Sequence, residues 1–138
     1  EKRMMSVHFT VSLYSEDIAW IQDVCKKSAF WPKTTDTRWT IYLKKNTTSL
    51  SLVRDTAMKL MDFGGCDSSK LVVRRLPNVG REGHTIMTHL FTSDFRFADI
   101  NFFLQGHPHA DAEKLECWVR KAMVSMFNHN ATRASQEW

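Results

Sequence analysis

Two short stretches concentrate the side chains able to do chemistry. The first, residues 76–85 (LPNVGREGHT), sets Asn78, Gly80, Arg81, Glu82 and His84 in one turn that opens a predicted helix. The second, residues 102–109 (FFLQGHPH), is an apolar run that ends abruptly in Gln105, Gly106, His107 and His109. Gly80 and Gly83 permit close backbone approach, and the N–H groups of a helix start favour an anion. Arg81 can hold a phosphate or carboxylate in a planar fork. Glu82 can ligate a cation or accept from a hydroxyl, and His84 can donate. Arg81, Glu82 and His84 are therefore the candidate catalytic residues, with Asn78 and Gly80 as binding residues. The plainer reading is a tight strand-to-helix turn carrying an Arg–Glu surface pair.

Two further groups accompany them. Tyr14, Glu16 and Asp17 close an alternating apolar–polar run with an aromatic ring and two acids. That combination suits a base or a ribose, although acids at a helix start also complement the helix dipole. His107, His109 and Asp111 have the spacing to put two imidazoles and a carboxylate near one metal. Asp111 equally suits a helix cap. Gln105 and His107 would form a pocket floor. His89 stands five positions after His84, off its helix face, and reads as structural. The Trp residues read as core and rim packing.

These residues need elements to position them. Residues 7–14 alternate as a strand, and Ser15 caps a predicted helix with Glu16 and Asp17 in its first turn and Ile18, Ile21 and Cys25 following. Residues 38–43 form a second strand. Residues 49–61 form a helix with Leu52, Met58 and Leu60 apolar, stopped by Gly64-Gly65. Residues 70–76 form a third strand, the 78–80 turn leads into a helix with Ile86, Met87, Leu90 and Phe91, and residues 100–104 form a fourth strand. A last helix follows Asp111, with Leu115, Val119, Met123 and Met126 as an apolar stripe.

Strands alternating with helices predict βαβ units: a three-layer α/β domain with a mostly parallel four-stranded sheet and helices on both faces. Residues 1–138 read as one such domain. In a parallel sheet the C-terminal strand ends share one rim. Tyr14 to Asp17, Leu43-Lys44, residues 78–84 and residues 105–109 converge there.

The totals agree. The 138 residues, 43% hydrophobic and 12% aromatic, suffice for one core. The net charge of +4 comes from scattered doublets, Lys26-Lys27, Lys44-Lys45 and Arg74-Arg75, which read as solvated faces. With no nucleic-acid motif, a small anionic ligand fits this charge better than a nucleic acid. No apolar run reaches membrane-spanning length. Three Cys without CxxC spacing argue against a complete disulfide framework or a zinc ribbon, so Cys25 and Cys117 are expected as buried thiols. Asn46-Thr47-Thr48 and Asn130-Ala131-Thr132 match the N-glycosylation triplet, which matters only for a secreted chain. The first residue is Glu rather than Met, as expected after removal of an N-terminal segment, and both the secretory lumen and the cytoplasm stay open.

On Tyr14 to Asp17 with Trp20, on residues 76–85 and on residues 103–108, the chain resembles the domain-of-unknown-function family 3431 over most of its length. That family's layout is similar to the nucleotide-sugar half of GT-A glycosyltransferases. The resemblance implies a GT-A/Rossmann-like fold that binds a nucleotide sugar or similar anionic donor, with a divalent cation as candidate cofactor and sugar transfer as candidate activity. Where such enzymes carry Asp-x-Asp, this chain has Gln105-Gly106-His107. Two other classes stay in play: a non-catalytic binding module or partner subunit, and a metal-dependent hydrolase using His107, His109 and Asp111.

Overall fold

A computed structural model describes residues 5–28, 35–93, 96–106 and 121. In chain order the elements are β1 (Met5–Leu13), α1 (Trp20–Ser28), β2 (Thr35–Leu43), α2 (Leu50–Gly64), a 3-10 turn (Ser68–Lys70), β3 (Leu71–Arg75), α3 (Arg81–Thr92) and β4 (Ile100–Gln105). The strands form one sheet in the order β3-β2-β1-β4. Every pairing is parallel, with Leu13 opposite Leu43, Leu43 opposite Arg75 and Ser12 opposite Gln105. The three-layer α/β architecture follows, with α1 and α2 on one face and α3 on the other. The last helix, with its stripe from Leu115 to Met126, lies outside the described residues.

Strand β1 explains the layering. Its odd residues, Met5, Val7, Phe9, Val11 and Leu13, are buried, and they pack with Ile21, Val24, Val53, Ala57 and Met61 of α1 and α2. Phe9 lies opposite both Trp39 and Phe102 in the sheet register. Their rings stack at centroid distances of 4.2 and 5.1 Å, which makes an aromatic ladder across three strands. Each such side chain contributes about 1.5–3 kcal/mol by leaving water. The even residues, His8, Thr10 and Ser12, are polar and face α3. Central parallel strands are usually apolar on both faces. Here hydrogen bonds take the place of apolar packing: Ser12 Oγ to Thr85 Oγ1 at 2.9 Å, His8 Nε2 to Thr40 Oγ1 at 2.8 Å, and Tyr42 Oη to His89 Nδ1 at 2.9 Å.

Helix α2 begins and ends on local chemistry. The Ser49 hydroxyl accepts from Leu52 N–H at 3.3 Å, and Gly65 stops the helix in the left-handed region at φ +88°. The buried face of α2 is Val53, Ala57 and Met61, while Leu52 is exposed.

Three expectations are corrected. Helix α1 starts at Trp20, not after Ser15. The Glu16 carboxylate turns back to accept from the N–H groups of Tyr14 and Ser15, and Asp17 makes the entry turn by accepting from Ala19 N–H. Cys25 is not a thiol: it is joined to Cys66, with the Cα atoms 5.4 Å apart, so α1 is tied to the residue that follows the α2 stop. In α3 the apolar Met87 and Phe91 are exposed while Thr85 and His89 are buried, because the sheet face they meet is polar.

Candidate ligand-binding cleft

The parallel sheet sends the ends of β1, β2 and β3 to one rim, where they enclose a cleft of about 640 Å³. Its walls are Tyr14, the 44–46 turn, Arg75, and the 76–78 approach to α3. Lys44, Lys45 and Arg75 bring three cations to this lining, and Tyr14 brings a half-exposed ring.

Local folding places each of them. Lys44 follows β2 directly, and its N–H donates to Leu13 O at 2.8 Å, so the β1 and β2 ends are locked in step. Its side chain is buried, and Nζ donates to Val79 O at 3.0 Å, which holds the turn that enters α3. Arg75, the last residue of β3, donates from Nη1 to Lys45 O at 2.7 Å and from Nη2 to Thr48 O at 2.6 Å. One guanidinium thereby braces the whole 45–48 turn. Lys45 Nζ sits 5.8 Å from the centroid of the Tyr14 ring, a cation–π contact.

The expected site residues separate into groups. Tyr14 and Asn78 share this cleft. Gly80 is the residue before α3, in the left-handed region at φ +64°, and a Cβ there would come within 2.7 Å of His84 Cβ. As a glycine it provides no side-chain cap to the first turn of α3, which opens beside Asn78. Arg81 and Glu82 are the first two residues of that helix. His84 N–H donates to Gly80 O at 3.1 Å, and its buried Nδ1 has no hydrogen-bond partner among the described residues.

Gln105 lines a different hollow, of about 210 Å³, between α3 and the β1–β4 pair. Glu16 and Asp17 are engaged with backbone N–H groups near the β1 end. Glu16 lies against Gly106, where a Cβ would meet Glu16 Oε2 at 2.6 Å and Leu13 Cδ1 at 2.8 Å. Trp20 Nε1 also donates to Gly106 O at 2.7 Å. The chain reverses its winding between β1 and β4, the place where open sheets usually split to admit a ligand. In this molecule Glu16, Trp20 and Gly106 close that split, and the roomier cleft lies over β1, β2 and β3.

His107, His109 and Asp111 lie outside the described residues. Among the described residues no group of three His, Cys, Asp or Glu side chains can hold a metal ion. The cleft lining, with three cations and no carboxylate, suits an anion rather than a divalent cation. Among the described residues no helix is long and apolar enough to cross a membrane.

Tyr14, Lys44 and Asn78 were legible in the sequence as strand-end residues. Lys45 and Arg75 were not, because they read as members of solvated doublets. The available signal was their position, since both doublets stand at the C-terminal end of a strand. Comparison of the chain with family models, curated proteins and solved structures finds no match.

Proposed function

We propose that this domain binds a nucleotide sugar or closely related anionic donor at the C-terminal rim of its sheet, in the manner of glycosyltransferase donor domains. One observation carries the reading: Lys44, Lys45 and Arg75 line a cleft beside the half-exposed ring of Tyr14. Clustered cations favour phosphate oxygens, and an aromatic wall favours a planar base. Arg81, the first residue of α3, would supply a further guanidinium at a helix N-terminus, which itself favours an anion. If transfer occurs, Arg81 stabilises charge that grows on the leaving phosphate, with Glu82 as base and His84 as donor.

A non-catalytic binding module is the second reading, and a specific observation favours it. Glu16 and Asp17, the acids at the β1 end, are both occupied in shaping the backbone.

A thermal-shift screen of nucleotides and nucleotide sugars, with and without Mn²⁺, tests the binding claim. A ligand at a hundred times its dissociation constant stabilises by about 2.7 kcal/mol. The expected result is stabilisation by diphosphate-bearing ligands that does not need the cation. Assay of released sugar with the same ligands then separates the transferase from the binding module.

A further inference from the structure

We propose that Asn46 is an N-glycosylation site, carrying an N-linked oligosaccharide at the mouth of the rim cleft. Two independent observations support this. The first is the presentation of the acceptor triplet. Asn46-Thr47-Thr48 forms the turn between β2 and α2, and Asn46 and Thr47 are exposed. Arg75 holds the carbonyls of Lys45 and Thr48, one on each side of the Asn46-Thr47 pair, so the turn is fixed with Asn46 at its tip. No core contact has to break for a glycan to be accommodated, because the residue is already at the surface.

The second is the Cys25–Cys66 disulfide. Disulfides persist where the environment is oxidising, chiefly along the secretory route, and are rare in the cytosol. That is the compartment in which Asn-x-Thr triplets are modified. A triplet alone is common by chance; a triplet on a braced, exposed turn of a disulfide-bonded domain is a site.

The chemistry balances with one co-reactant, a polyprenyl-diphosphate-linked oligosaccharide supplied with its membrane transferase. A bond forms from Asn46 Nδ2 to the anomeric carbon of the sugar. The bond from that carbon to the diphosphate breaks, and the diphosphate leaves with the electron pair. The amide gives up one proton. The inference does not rest on the ligand reading, although Asn46 also lines the cleft, so the first sugar stands at its entrance.

Peptide mapping of the full chain from its natural source, under non-reducing conditions, tests it. The expected result is a glycopeptide spanning residue 46 that enzymatic glycan release converts to an Asp-containing peptide, together with a linked Cys25–Cys66 peptide pair. In the full chain secreted from eukaryotic cells, N46Q and T48A should each lose one glycan-sized mass step. T48S should keep it, because Ser also serves the acceptor triplet. An unchanged melting temperature for N46Q would show that the lost step is not misfolding. An unmodified residue-46 peptide as the sole form in the natural protein overturns the proposal, as does a secreted N46Q chain of the parent's glycan content.

Discussion

Tyr42 and His89 show what single polar atoms do in this fold. Tyr42 is 2% exposed, and its hydroxyl meets His89 Nδ1 at 2.9 Å beneath α3. Tyr42→Phe keeps the ring and leaves the buried imidazole nitrogen unpaired, at a cost of about 1–3 kcal/mol. The denaturation midpoint should fall with the slope unchanged. His8 stands edge-on to His89, with centroids 4.9 Å apart. Burial, then His89 and Arg38, lower its pKa from 6.5 to about 4, against a smaller upward pull from Asp36. Burial and Arg74 also lower His89. Between pH 6.5 and about 4 the unfolded chain therefore binds more protons at His8 than the folded one. The stability due to neutral His8 is complete above the unfolded pKa and is lost as pH falls towards the folded one. Urea midpoints should decline across that window, and His8→Gln should flatten the decline. A parent curve that stays flat there would contradict the buried, neutral imidazole.

At the scale of elements, α1 and α2 approach closely at Gly64. A Cβ on Gly64 would strike Cys25 Cβ and approach Gln22 O to 2.7 Å, so Gly64→Ala must push the helices apart. It should destabilise by about 1–3 kcal/mol, the usual cost of overpacking, although Ala is the better helix former. A melting temperature equal to or above the parent's would show that the seam is loose. Much of this scale was legible. The alternation of β1, the Ser49 cap and the Gly64-Gly65 stop are local signals, and the strands fall within a few residues of their expected ends. Two of the three misses were non-local, and the third, at Glu16 and Asp17, was local. Glu16 and Asp17 look like a helix's first turn, but their carboxylates bond to nearby loop N–H groups instead. The α3 stripe pointed the wrong way, because hydrophobicity orients a helix only when the sheet face it covers is apolar, and this one carries His8, Thr10, Ser12 and Tyr42. The Cys25–Cys66 pairing depends on how two helices lie together, which residue spacing does not reveal.

At the scale of the whole molecule, the all-parallel sheet gathers distant residues at one rim. Tyr14 and Asn78 were legible as strand-end residues. Their neighbours Lys45 and Arg75 were hidden, because a basic doublet looks the same on a solvated face as on a cleft wall. Glu16 and Gln105 were expected to share that rim with them, but Glu16 closes against Gly106 with Trp20, and Gln105 lines the separate hollow under α3. The rim cleft is proposed to bind a diphosphate-bearing ligand through its cations. Isothermal titration of nucleoside diphosphate sugars into the parent, Lys45→Ala and Arg81→Ala proteins tests it most directly. Each loses a charge-assisted contact, so each should weaken binding by about 1.5–3 kcal/mol, roughly tenfold to a hundredfold. Melting should hardly change, because a single rim cation contributes little to stability. Arg81→Lys should recover only part of the loss, because Lys lacks the planar fork. If the parent binds none of these ligands and Arg81→Ala melts early, the rim is a structural turn and the nucleotide-sugar reading fails.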